Sequence, residues 1–103
     1  MQTFKRPQFL LDLAAELSWL KTKAGPVIAQ RWYENLLTTI AELERHPQLG
    51  RRRPDLKGEG IRSWRVKRYP RWLIFYAVDE NGNLILFRVR YGAMNITELE
   101  MQN

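Results

Sequence analysis

The sequence predicts an α+β domain in which a pair of helices precedes three β-strands. Two observations carry this prediction. The first 46 residues hold two apolar stripes at helical spacing, and residues 61–91 hold three segments rich in β-branched and aromatic side chains. A stretch rich in proline, glycine and charge, residues 47–60, is expected to be an exposed connection between the two halves. At 103 residues the chain is expected to form a single domain over residues 1–103.

The helical half is expected to be an antiparallel hairpin. Leucines recur every three or four residues from Leu10 to Leu20 and predict a first helix over residues 8–23. Gly25 and Pro26 are suited to ending that helix and beginning the next, because glycine favours a helix C-terminus and proline a first helical turn. The second apolar stripe continues until His46, which is followed by proline.

The second half is expected to contain three consecutive antiparallel strands, over residues 61–67, 72–78 and 84–91. Between the last two strands, the run Asp-Glu-Asn-Gly-Asn is typical of a hairpin turn. The middle segment is apolar at every position, so it is predicted to be the central strand. Tyr69 and Pro70 are interpreted as a rigid turn before it.

Alternation along the last strand predicts which of its side chains share a face. Successive side chains of a strand point to opposite sides of a sheet. Ile85, Phe87 and Val89 are therefore expected on one face. Arg88 and Arg90 are expected on the other. One face should meet the helices, and the other should be partly wet.

The positive charge of the chain is concentrated in one region. The net charge is +6, yet ten of the seventeen Lys and Arg residues lie within residues 45–71, beside only two acidic residues. A local excess of this kind favours an anionic partner, either nucleic acid or an acidic protein segment. Trp64, Tyr69 and Trp72 are interleaved with these cations, and this combination suits base stacking or a protein interface equally well. The two tryptophans are equally compatible with the core.

Several kinds of chemistry have no support in the sequence. The chain has no Cys and a single His, His46, which is better interpreted as a helix cap than as a metal ligand, so we expect no metal site. Asp12 and Glu16 share one face of the first helix and are interpreted as solvated surface. Phosphate-loop, nucleophile and dinucleotide motifs are absent, so we expect no cofactor and no catalytic residue of those classes. The N-terminus has no apolar leader and no segment is long enough to span a membrane, which makes the cytoplasm the expected location.

Four short segments, taken in order, resemble a known family. They are the helix end Ala41-Glu42-Leu43-Glu44-Arg45-His46-Pro47-Gln48-Leu49-Gly50-Arg51, then Gly60-Ile61-Arg62-Ser63-Trp64, the strand Ile74-Phe75-Tyr76, and the strand Phe87-Arg88-Val89-Arg90-Tyr91-Gly92. Their order and spacing resemble the ParE branch of the RelE/ParE toxin superfamily, and the resemblance covers nearly the whole chain. It implies a RelE/ParE-like α+β fold, in which a short N-terminal strand near residues 3–6 and an antiparallel helical hairpin pack on a curled antiparallel sheet.

The resemblance also implies a function. Such a protein would be the toxin of a type II toxin-antitoxin pair, neutralised when the C-terminal segment of a cognate antitoxin covers its helices and sheet. ParE-like members resemble inhibitors of DNA gyrase that need no catalytic residue. The surface expected to contact the target consists of five cations and one tyrosine: Arg62, Arg65, Lys67, Arg68, Arg71 and Tyr91.

Two alternatives stay open. RelE-like members cleave messenger RNA on the ribosome and carry arginines at positions that correspond here to Trp72 and Met94, so both expected cations are missing. Nuclease chemistry would then depend on Arg71, Lys67 and Tyr91. The second alternative is a non-toxic chain that only binds its antitoxin. It arises because ParE-like proteins usually show His, then Gly, then Ala-Arg-Asp near the end, where this sequence has Tyr-Gly-Ala-Met-Asn over residues 91–95.

Overall fold

A computed structural model describes residues 1–92 and places a helical hairpin on one face of a five-stranded sheet. The elements in chain order are β1 (Thr3–Lys5), α1 (Pro7–Ala24), α2 (Pro26–Arg45), β2 (Arg51–Arg52), β3 (Arg62–Val66), β4 (Tyr69–Val78) and β5 (Leu84–Tyr91). The predicted α+β architecture, helical hairpin and three long strands are confirmed. In the described part of the chain, neither helix is long and apolar enough to cross a lipid bilayer.

The helices begin and end where the sequence signals lie. Pro7 and Pro26 occupy the first turns of α1 and α2, where a missing N–H costs no helical hydrogen bond. Gly25 joins the helices with a φ of 93°, a conformation that side chains other than glycine rarely adopt. Its N–H donates to the carbonyls of Leu20 and Lys21, which closes the end of α1.

The sheet is mixed rather than purely antiparallel. Its strand order is β1-β5-β4-β3-β2, and it is open, with β1 and β2 at its edges. β1 runs parallel to β5, with Thr3 opposite Leu84, whereas the other neighbours are antiparallel. The expectation of an antiparallel sheet is therefore wrong at the β1 edge. The reason is that the helical hairpin carries the chain back across the sheet between β1 and the long strands.

The connection after α2 contains structure that the sequence did not predict. Its first part forms the short strand β2, which pairs with β3 through Arg51 opposite Ser63. Farther along, Leu56 is buried with Ile61 and Phe75 on the sheet face opposite the helices. The connection thus covers that outer face, and it is not only an exposed loop.

The turn before the central strand lies two residues earlier than predicted. Lys67 and Arg68 form the turn, and Arg68 has a φ of 67°. Tyr69 and Pro70 already belong to β4. Pairing passes from Arg65 opposite Leu73 to Val66 opposite Tyr69, so three residues of β4 bulge out at this point.

The main core lies between the helices and the sheet. α2 contributes Trp32, Leu36 and Leu43, which are completely buried against Tyr76 of β4. Leu84, Leu86 and Val89 of β5 belong to the same cluster. The predicted alternation of β5 therefore fails beyond Leu86, because Phe87 is an extra residue in the β4–β5 ladder and shifts the register there.

The interpretation of Asp12 and Glu16 as solvated surface is wrong. Asp12 is only 7% exposed, and its carboxylate accepts hydrogen bonds from Nε of Arg88 at 2.7 Å and from the Val89 N–H at 3.2 Å. Nη2 of Arg88 donates to the second Asp12 oxygen at 3.0 Å. The prediction of a wet position for Arg88 is wrong for the same reason. This buried pair fastens α1 to β5, which are 76 residues apart in sequence at these two positions.

Tyr76 fixes the segment that follows α2 against the core. Its hydroxyl donates to the Pro47 carbonyl at 2.7 Å and accepts from the Gly50 N–H at 2.8 Å. Gly50 has to be glycine, because a Cβ at that position would clash with the Tyr76 ring and hydroxyl.

We expect Tyr76→Phe to lower the free energy of unfolding by about 1–3 kcal/mol, because the buried Gly50 N–H and the partly buried Pro47 carbonyl lose their partner. Burial also raises the pKa of Tyr76, so the fold favours the neutral phenol. That contribution is complete below the unfolded-state pKa of about 10 and is lost as the pH rises through the folded-state value. Urea unfolding at neutral and alkaline pH, with Tyr33→Phe as the control, measures both effects. Equal stability of wild type and Tyr76→Phe would contradict the structural role.

Candidate functional site

A cationic surface is centred on the turn between β3 and β4. Arg65, Lys67, Arg68 and Arg71 are all exposed there. The positive φ at Arg68 and the bulge that follows it project these side chains from the end of the sheet. Four of the six residues predicted to contact a target are thus brought together as solvent-facing cations.

Two contacts hold this cationic surface against α2. The Lys67 N–H donates to Oγ1 of Thr39 at 2.9 Å, and Nε1 of Trp64 donates to the Glu42 carboxylate at 3.3 Å. The guanidinium of Arg65 lies over the Trp64 ring, 4.5 Å from its centroid. Stacking of this kind orients an arginine while leaving its N–H groups free to bind oxygen acceptors. The turn therefore presents oriented cations.

A depression of about 370 Å³ lies between these side chains. Its lining includes the three cations Arg65, Lys67 and Arg68 and one carboxylate, Glu42. The local excess of positive charge suits an anionic group, such as a partner's carboxylates or a phosphate.

Arg71 and Tyr91 form a second part of the cationic surface. Nη1 of Arg71 donates to the Tyr91 hydroxyl at 3.2 Å, and this contact raises the pKa of Arg71. The Gly92 N–H donates to the Arg71 carbonyl, which ties the end of β5 to β4. Both side chains line a depression of about 350 Å³ that does not include Lys67. The three candidate nuclease side chains are thus divided between two depressions.

Arg62 has a different position. It is half-buried, and its Nη1 donates to the carbonyls of Gly50 at 2.8 Å and Gln48 at 3.3 Å. These contacts hold the segment after α2. We attribute a structural role to Arg62, and we keep the other five residues as the candidate target surface.

Trp72 and Glu16 were not recognised from the sequence as parts of one site. Trp72 packs against the core, and its Nε1 donates to the Glu16 carboxylate at 2.7 Å. The Tyr91 ring meets the Trp72 ring edge-on, with centroids 4.9 Å apart. Together with Trp19, these three residues line a pocket of about 380 Å³ between α1 and the sheet. The sequence showed only that α1 carries two acids, Asp12 and Glu16, and gave no sign that they face inward.

Burial raises the pKa of Glu16, although the Trp72 hydrogen bond and nearby Arg90 act in the opposite direction. A raised folded-state pKa means that stability is lost as the pH rises through it. Glu16→Gln should keep an acceptor for Trp72. We expect its stability, compared with that of wild type, to increase as the pH rises from about 4 to 7, because only the wild-type side chain ionises. Thermal unfolding at both pH values checks this, with the exposed Glu34→Gln as the control. A relative loss for Glu16→Gln at pH 7 would show that attraction to Arg90 outweighs burial.

The family model for the ParE toxin of the type II toxin-antitoxin system parDE matches residues 5–96. The chain belongs to the ParE toxin family. A solved structure described as the chromosomal ParDE TA system from P. aeruginosa is similar to this ParE-family chain, with a TM-score of 0.72 at 18% sequence identity. The similarity covers 88% of this chain and 95% of that one, and it confirms the ParE-like fold. Among curated proteins, none matches the sequence significantly.

Two further expectations concern the end of the chain and metals. Met94, and the segment from Ala93 to Asn95 that departs from the ParE pattern, lie outside the described residues. Within residues 1–92, His, Asp and Glu side chains do not come together in any group of three able to hold a metal ion.

Proposed function

We propose that this ParE-family chain is a toxin that inhibits DNA gyrase by binding it, and that a cognate antitoxin neutralises it. The observation that carries the proposal is the family match over residues 5–96. The exposed cations Arg65, Lys67, Arg68 and Arg71 supply a surface suited to an acidic region of a protein target. In this mechanism the chain acts by occupying the target and needs no bond-making step of its own.

A nuclease function has one observation in its favour. The Arg71 guanidinium and the Tyr91 hydroxyl are hydrogen-bonded to each other at 3.2 Å, so a cation able to bind a phosphate and a hydroxyl able to exchange a proton lie side by side. However, Lys67 lines the neighbouring depression, and Trp72 stands where RelE-like members carry an arginine. We therefore prefer the binding mechanism.

The test is a DNA gyrase supercoiling assay with the purified chain, run with and without the cognate antitoxin. Ribosomes with a reporter messenger RNA serve as the parallel assay. We expect supercoiling to fall, the antitoxin to restore it, and the messenger RNA to stay intact. Normal supercoiling with cut message would replace gyrase inhibition with nuclease chemistry, and no effect in either assay would support the non-toxic alternative.

A further inference from the structure

The charge pattern of α1 is reversed compared with an ordinary surface helix. Between Pro7 and Leu20 its only charged residues are Asp12 and Glu16, and both are engaged on its inner side by Arg88 and Trp72. Apolar side chains lie on the solvent side: Leu10, Leu11 and Trp19 are 49%, 62% and 51% exposed. A surface helix normally has its charged side chains on the solvent side. Because α1 has apolar side chains there instead, its solvent side is suited to being covered by another molecule.

The pocket described above opens beside this apolar surface. Trp19 of α1, Trp72 of β4 and Tyr91 of β5 line it together with Glu16. Its volume of about 380 Å³ falls within the range of roughly 300–1,000 Å³ that ligand pockets show. Among the described residues the lining consists of three aromatic rings and one carboxylate, which is typical of a pocket that receives a bulky apolar side chain.

The charged side chains around the pocket indicate which charge a bound partner should carry beside it. Arg71 is exposed and donates to the Tyr91 hydroxyl at the edge of the pocket. Its charge would repel a cationic guest beside Tyr91, although the aromatic walls alone would accept one. An apolar side chain flanked by a carboxylate fits both the aromatic walls and Arg71.

We propose that the antitoxin anchors itself here, by placing one bulky apolar or aromatic side chain between Trp19, Trp72 and Tyr91 and a carboxylate against Arg71. This inference rests on the proposed function, because it takes the partner to be an antitoxin.

Tyr91 gives the proposed anchor a direct connection to the target surface. Its ring lines the pocket, while its hydroxyl holds Arg71, which belongs to the cationic surface. An antitoxin seated in the pocket would contact Tyr91 and occupy Arg71 at the same time. Neutralisation would then result from competition for Arg71 in addition to coverage of the helices.

The experiment is a binding titration of the full chain with its cognate antitoxin. We expect Trp19→Ala to weaken binding by about tenfold or more, since a buried aromatic anchor loses one wall of its pocket. Trp19→Phe should recover part of the affinity. Leu49→Ala, which removes another exposed apolar side chain but from the segment after α2, outside the helices and the sheet, is the matched control and should change Kd by less than about twofold. Circular dichroism confirms that the variants are folded.

Each other outcome overturns a different statement. If wild type and Trp19→Ala bind the antitoxin equally well, the pocket is not the anchor, and the toxin-antitoxin function stands. If wild type does not bind the antitoxin at all, the proposed function fails and the anchor fails with it. If sedimentation shows that wild type self-associates through Trp19 and that Trp19→Ala does not, a second copy of the chain is the occupant instead.

Discussion

Replacing Asp12 with alanine is expected to lower the free energy of unfolding by about 3–5 kcal/mol, a large part of the stability of a domain of this size. The variant removes the carboxylate that holds two nitrogens of Arg88, and the charge of Arg88 stays buried, with its side chain 8% exposed. It also removes the acceptor of the Val89 N–H, two residues after the extra residue of β5. Urea unfolding followed by circular dichroism measures the loss.

Glu34→Ala is the matched control for Asp12→Ala, because it removes an exposed carboxylate from α2 and should change stability by less than about 0.5 kcal/mol. The double variant Asp12→Leu with Arg88→Leu provides a second check. It should regain part of the lost stability, since replacing both members of a buried ion pair costs less than removing one. A loss below about 1 kcal/mol for Asp12→Ala would mean that the pair does not fasten α1 to β5.

Reversing the charges of Arg65 and Arg68 is expected to weaken the proposed gyrase inhibition by about 100-fold, because like charges placed across an interface cost several kcal/mol. Both side chains are exposed, so the fold should survive. The measurement is the concentration of the Arg65→Glu, Arg68→Glu variant that halves supercoiling, compared with wild type. Wild-type inhibition should itself weaken as salt concentration rises, since exposed charges are screened.

A variant with the same change in net charge controls for long-range effects. Lys23→Glu with Arg31→Glu reverses two exposed cations on the helices, and it should inhibit gyrase nearly as well as wild type. If both double variants lose inhibition equally, net charge is responsible and the local surface is not. If neither loses inhibition, the cationic surface does not contact the target.

The elements with strong local signals could be predicted from the sequence. The apolar periodicity predicted both helices, and Pro7 and Gly25-Pro26 predicted their ends. The turn residues 79–83 predicted the hairpin between β4 and β5. β1 was expected only from the family resemblance, because three residues carry too little periodicity. β2 was missed because two consecutive arginines form a strand only through their pairing with β3.

The errors share a physical cause, which is contact between residues far apart in sequence. Asp12 and Glu16 match a solvated helix face unless Arg88 and Trp72 are known to lie beneath them. Alternation in β5 was correct up to the register shift at Phe87, which depends on pairing with β4.

The candidate site was predictable only in part, for the same reason. The cationic surface followed from local charge density, and its main cations are exposed as expected. The backbone carbonyls that engage Arg62 belong to a distant segment. The aromatic pocket was not predictable, since it brings Trp19 of α1 to Tyr91 at the end of β5.

The parallel pairing of β1 with β5 has a consequence for when the sheet can be completed during synthesis of the chain. β1 pairs with Leu84–Leu86 of β5, so the sheet cannot be completed until nearly all of the described chain has been synthesised. The helical hairpin can form earlier, because its contacts are local and local contacts form fastest. Until β5 arrives, Tyr91 and its contact with Arg71 do not exist. A nascent chain on the ribosome therefore lacks both the complete sheet and the Arg71–Tyr91 contact until synthesis of the described residues is nearly finished.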